Sequence, residues 1–160
     1  MIQMDTYNLS PFDVANWFVC NLDREAGDSI THLKLQKLLY YSQVWSIVLN
    51  KKIIFEDDFQ AWAHGPVLPD VYHDYKEYGF NSIPSCECDN NIDDELEEVL
   101  KEVKRVYGEF SAKKLEDLTH SEDPWKEARG NLPSEAACNK IISKESLVSY
   151  YSKMYEEVQN

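Results

Sequence analysis

Apolar positions recur at helical spacing from residue 11 onward: Val14, Trp17 and Phe18, with Leu22 extending the stripe. Ser10, Pro11 and Asp13 form a capping box with proline in the first turn, and Gly27 closes the run. The pattern predicts a helix over residues 11–25. A second helix is predicted over residues 32–50, capped by Thr31 and apolar on two stripes at once, Leu35, Leu38, Leu39, Trp45 and Leu49 on one and Tyr40, Val44, Ile47 and Val48 on the other. So little polar surface puts it at the centre of the fold.

The period then changes. β-branched and aromatic residues flank Asp57-Asp58, predicting a hairpin of Ile53–Phe55 with Phe59–Ala63, which Gly65-Pro66 would break. Beyond Leu68-Pro69, the stripe Val71, Tyr72, Tyr75 and Tyr78 predicts a short helix ending at Gly79. Asp93 caps a helix with Leu96, Val99, Leu100 and Val103 inward, its acids leading and its bases trailing as the macrodipole prefers. Ser111 caps another, Asp123-Pro124 starts a third as cap and first residue, and a final helix turns Leu147, Tyr150, Tyr151 and Met154 inward. The expected fold class is mainly α: a compact single-domain helical fold around a central apolar helix with one short β-hairpin, spanning residues 1–160.

Charge narrows the partners. Twenty-nine acids against 16 bases leave a net charge of −13, whose field repels phosphate backbones and anionic headgroups and attracts a cationic protein surface. Nucleic acid is therefore a poor partner, and DNA mimicry a minor variant of the protein-binding idea. No apolar run reaches membrane-spanning length and the first residues lack a signal-peptide pattern, so no membrane association and a cytoplasmic location are expected. Cys20, Cys86, Cys88 and Cys138 are then expected to remain thiols.

Enzymatic signatures are sparse. The five glycines are too far apart for a phosphate-cradling loop, there is no nucleophile elbow, and Cys86-x-Cys88 has no second pair to complete a zinc site. No cofactor or metal is expected. His64, His73 and Asp70 flank the Gly-Pro corner and could support a metal-dependent or acid/base enzyme, although their spacing matches no metal motif. A run of acids between Glu87 and Glu102 reads as a solvated helix face or as a dock for a basic partner.

Three stretches together resemble a known family. LKLQKLLYYSQVWSIV, AWAHGPVLPDVYHDYKEYG and LEDLTHSEDPWKEAR are similar, in this order, to the Panacea domain, which includes SocA-like antitoxins and phage-associated GepA-like proteins. The resemblance runs from about Phe12 to Tyr151. It implies an antitoxin, without enzymatic activity, that neutralises a cognate protein toxin encoded in an adjacent gene by direct binding. Relatives are paired with different toxins, small alarmone synthetase types among them, and one branch works instead as an adaptor that delivers its toxin to a protease. Some relatives carry an added DNA-binding segment, for which this length leaves no room.

The family motifs fall on Leu33–Tyr41 (with Leu35, Gln36, Lys37, Leu38, Tyr40 and Tyr41), on Ala61, Trp62, Gly65, Pro66, Val67, Pro69, Val71 and Tyr72, and on Thr119, His120, Pro124 and Trp125. A motif common to binders of unlike toxins encodes the shared scaffold, so Trp62 is expected to anchor the hairpin in the core. Toxin contacts are expected elsewhere: the arm Met1–Leu9, the segment Cys86–Glu98 with Asp93, Asp94, Glu95, Glu97 and Glu98, and the polar positions Lys34, Lys37 and His64, taken as exposed. Tyr40, Tyr41, Tyr72, Tyr75 and Tyr78 could add an aromatic patch. No homo-oligomeric state follows from the pattern.

Overall fold

The computed structural model describes residues 4–22, 29–85 and 91–159. Among these, helices dominate: α1 (Pro11–Cys20), α2 (His32–Trp45), α3 (Pro69–Tyr75), α4 (Asp94–Tyr107), α5 (Ala112–His120), α6 (Asp123–Arg129) and α7 (Lys144–Gln159). Four short strands accompany them: β1 (Asp5–Thr6), β2 (Lys52–Ile53), β3 (Gln60–Trp62) and β4 (Gly65–Val67). The mainly helical expectation holds.

α2 is the central helix. It packs against α1, α3, α4, α5, α7 and β4, and every residue from Leu35 to Val44 is buried. The core around it gathers Trp17 and Phe18 of α1, Leu96, Leu100 and Val103 of α4, Leu115 of α5, Trp125 of α6 and Tyr151 of α7. Local chemistry sets most boundaries. Ser10 and Asp13 form the predicted capping box of α1, and Thr31 and Ser111 cap α2 and α5 through their hydroxyls. α1 stops at Cys20, because Asn21 turns its side-chain amide onto the Trp17 carbonyl at 2.8 Å; residues 23–25 of the predicted helix lie outside the described residues.

α2 also ends earlier than its pattern suggests. From Ser46 to Asn50 the backbone widens into a π-helical turn, closed by Lys51 in the left-handed region at φ 58°. The Ser46 hydroxyl donates to the Lys52 carbonyl at 2.8 Å and Lys51 Nζ to the Val48 carbonyl at 2.9 Å, which ties off the wider turn. At the start of α6, Glu122 is the cap, with Asp123 and Pro124 in the first and second helical positions.

The predicted hairpin is replaced by two other pairings. β2 runs parallel to β1, with Asp5 opposite Lys52, while β3 turns back through Ala63-His64 onto β4. Gly65-Pro66 therefore builds a strand where it was expected to break one. Gly65 adopts φ +103°, which suits glycine alone, and Pro66 sits opposite Ala61 at a pair where no ladder bond is needed. Ala61 faces the other way: its N–H donates to the Lys140 carbonyl at 2.8 Å and its carbonyl accepts from Arg129 Nη1 at 2.7 Å.

Cys20 is disulfide-bonded, which corrects the expectation of four thiols; Cys138 is free. Among the described residues no helix is long and apolar enough to cross a membrane.

Candidate functional site

The family-motif residues converge on one buried polar centre between α2, the β3–β4 hairpin and α5–α6. Lys37 is 1% exposed and points its ammonium at the Pro66 carbonyl, 3.4 Å away. Burial pushes its pKa down to about 7, against a smaller upward pull from Glu116. A methyl group on Gly65 would lie 2.5 Å from Lys37 Cε and 2.9 Å from Thr119 Oγ1, so the glycine makes room for both motif side chains. Next to Lys37, Gln36 forms a two-point amide clamp on Leu68, donating to its carbonyl at 3.2 Å and accepting its N–H at 2.8 Å.

A second polar group lies one turn further along α2. The buried Glu122 carboxylate accepts from the Tyr41 hydroxyl at 2.6 Å and the Tyr151 hydroxyl at 2.8 Å, and Tyr40 is 3.0 Å from the Tyr151 hydroxyl. Burial raises the pKa of Glu122, and the two hydroxyls pull it back; burial also raises all three tyrosines. Trp125 closes the motif set by donating its indole N–H to the Trp62 carbonyl at 2.8 Å while stacking on His120 at 3.8 Å. His120 is held below its usual pKa by burial, and Lys37 pushes the same way. These contacts are directional and mutual, and they lock three distant stretches of chain together.

Above this centre the surface opens into a cavity of about 560 Å³, lined by Trp62, Ala63 and His64 on the hairpin and by Ala137, Cys138 and Asn139 on the segment crossing it. Trp62 is half-buried and lies outside the apolar core, its ring edge-on to Tyr72 at 4.9 Å, so it forms the cavity wall and is not the core anchor it was expected to be. His64 sits on the exposed turn, its Nδ1 2.7 Å from Glu116 Oε1. Glu116 is drawn both ways: partial burial raises its pKa, but the Lys113 and His64 contacts prevail and lower it. His73 instead faces Lys76 at 3.4 Å, and among the described residues no group of three ligands could hold a metal ion.

The expected toxin-contact residues separate into three places. Met4–Leu9 of the N-terminal arm meets the start of α4, where the Tyr7 hydroxyl donates to Glu95, Asn50 donates to Tyr7 at 3.0 Å, and Lys52 pairs with Glu95 at 3.2 Å. Tyr7 is raised to about 12, first by burial and then by its Glu95 bond. Asp93, Asp94 and Glu98 are exposed beside this cluster, while Glu97 accepts the Trp17 indole N–H at 3.0 Å. Arm and acidic helix thus share one surface; residues 1–3 and 86–90 lie outside the described residues. Lys34 and His64 are elsewhere, with Lys34 donating to the Gly108 carbonyl.

Lys37 is the clear correction. It was expected at the surface and is inside, because its stem packs under Gly65. Tyr40 and Tyr41 are likewise fully buried, so only Tyr72, Tyr75 and Tyr78 keep partial exposure. The sequence pattern singled out neither Glu122 nor Arg129, and it turned Tyr151 inward without pointing to its bond with Glu122. Arg129 follows Trp125 by one helical turn and donates to the carbonyls of Ala61, Pro133 and Ala136, a role hinted at only by a lone arginine beside an aromatic.

No solved structure matches the chain. Antitoxin SocA of Caulobacter vibrioides (strain NA1000 / CB15N) is 29% identical over 109 residues, covering 60% of this chain and 58% of that protein, so the chain spans somewhat over half the length of this relative. A family model described as "Antitoxin SocA-like, Panacea domain" matches residues 35–126, from the first motif through the last. Most of the buried centre lies within those residues, and this chain belongs to the SocA-like Panacea-domain antitoxins.

Proposed function

We propose that this chain is an antitoxin that neutralises a protein toxin encoded beside it by binding it directly. The family match over residues 35–126 carries the reading. The fold supports the mode of action: Lys37, Gln36, Tyr41 and Trp125 make their polar contacts inside the protein, leaving partner recognition to surfaces outside the motifs. The joined surface of the N-terminal arm and the acidic start of α4 is the proposed recognition face, because an anionic surface captures a cationic enzyme at a distance. A small alarmone synthetase or another translation-blocking enzyme is the proposed target.

The test is growth on inducing the adjacent reading frame, alone and together with this chain. Toxicity relieved by co-expression, with the two proteins co-purifying, is expected; toxicity without relief would reject the reading. Toxin half-life is expected to be unchanged by this chain, as for a stoichiometric block, and a shortened half-life would turn the binder into a proteolytic adaptor.

A further inference from the structure

Eight large apolar side chains stand exposed among the described residues, and four of them are neighbours. Leu49, Val106, Tyr155 and Val158 are 42%, 41%, 36% and 76% exposed, and with Trp45 they line a groove of about 370 Å³ between the π-helical turn, α4 and α7. Such clustering of wet apolar surface marks a binding face, where the same residues scattered singly would need no explanation. The π-helical turn contributes directly: Ile47 and Val48 are buried at 1% and 4%, while Leu49 is left in the groove.

Charge around the groove selects its occupant. Arg105 is the lone cation of the lining and is spent on Glu102, donating from Nε to both carboxylate oxygens and from Nη2 at 2.8 Å. Glu98 stands one turn before Glu102, and Glu156 and Glu157 lie between Tyr155 and Val158 along α7, all exposed. Lys101, the other nearby base on α4, lies 3.8 Å from both Glu97 and Glu98. A second copy of this chain would bring the same acidic rim and another net −13 against it, whereas a cationic segment would be drawn in.

Resting on the antitoxin reading, we propose that this groove receives an amphipathic helix of the toxin, its apolar stripe on Leu49, Val106, Tyr155 and Val158 and its lysines or arginines on the acidic rim. Grooves between helices receive partner helices in this way, through a few apolar anchors at helical spacing. α4 carries both faces, the acidic start at one end and Val106 at the other.

The experiment uses the purified product of the adjacent reading frame and the full chain, wild type and as the double variant Leu49→Glu/Val158→Glu. Both positions are solvent-exposed, so the melting temperature should hold. Affinity is expected to fall about tenfold or more, as for loss of interface anchors, and growth rescue to fall with it. A charge-reversed rim, Glu98→Lys/Glu102→Lys, should weaken binding without touching the apolar anchors. Wild-type affinity in the double variant would overturn the groove assignment while leaving the antitoxin reading intact. Light scattering that showed a wild-type dimer, made monomeric by the double variant with toxin affinity unchanged, would make the groove a self-interface and overturn the assignment as well. Failure of the wild-type chain itself to bind or rescue would remove the antitoxin reading, and the groove assignment with it.

Discussion

Lys37 holds an ammonium group in the protein interior with one weak carbonyl contact and a carboxylate, Glu116, acting from farther off. Its pKa falls from 10.5 to about 7 because burial penalises the charged form. Between those values the folded chain binds fewer protons than the unfolded chain, so stability rises with pH across this window. The gain attributable to Lys37 is about 2 kcal/mol between pH 7 and 9. Above about pH 10 the sign reverses, because Tyr40, Tyr41 and Tyr151 are held above their ordinary range and the unfolded chain ionises first. Urea denaturation followed by tryptophan fluorescence at pH 7, 8 and 9 should show the rise, and Lys37→Met should flatten it while stabilising the protein at pH 7; a wild-type profile flat over this range would reject the burial of the charge. Gly65 makes a companion prediction. An alanine there combines φ +103° with a close approach to Lys37 and Thr119, and Gly65→Ala is expected to cost about 2–4 kcal/mol in the same assay. Neither role could be read locally. A lysine in a helix reads as solvated by default, and what buries Lys37 is a hairpin some thirty positions later in the chain.

At the scale of elements, what the sequence made legible was whatever neighbours in the chain decide. Capping hydroxyls, stripes such as Leu96, Val99, Leu100 and Val103, and the centrality of α2 all follow from local chemistry and spacing, and all are present in the fold. Strand pairing was not legible, because distant groups settle it. Ile54 and Phe55 look like a strand in need of partners; the Leu9 N–H reaches the Ile54 carbonyl at 3.0 Å, but on the other edge the partner is a side chain: Gln43 on α2 accepts the Ile54 N–H at 2.7 Å and donates to the Phe55 carbonyl at 2.9 Å. Gln36 does the same for Leu68, so α2 uses two glutamines as artificial strand edges, one on each side of the β3–β4 hairpin. This predicts that Gln43→Leu, despite filling similar space, leaves two buried backbone groups unpaired and costs about 2–4 kcal/mol in chemical denaturation. A cost below about 0.5 kcal/mol, the level of an ordinary surface change, would show that water replaces the clamp. The same non-local logic explains why Glu122 and Arg129 escaped notice within the third motif: each is an exposed-looking charge on a short helix until Tyr151 and the hairpin arrive to bury it.

For the whole molecule, the acids of α4 divide into those that hold the fold and those that face outward. Glu97 accepts the Trp17 indole N–H, and Glu95 joins Tyr7 and Lys52, so both tie elements together. Asp93, Asp94 and Glu98 are exposed and act at a distance, Glu98 holding only the long 3.8 Å ion pair with Lys101 on its own helix. If the face steers a cationic toxin, its field is the sum of all these charges, but only the second group can be removed without disturbing α1 or the N-terminal arm. The variant Asp93→Asn/Asp94→Asn/Glu98→Gln is therefore expected to slow association about three- to tenfold at low salt, leave the dissociation rate nearly unchanged, and converge on the wild type at high salt. Glu95→Gln and Glu97→Gln should differ in kind, lowering stability through the lost Tyr7, Lys52 and Trp17 contacts along with any change in rate. Stopped-flow association with the purified toxin across a salt series separates the two groups. An on-rate for the triple variant equal to wild type at low salt would mean that the acids serve solubility, and that capture rests on the apolar groove alone.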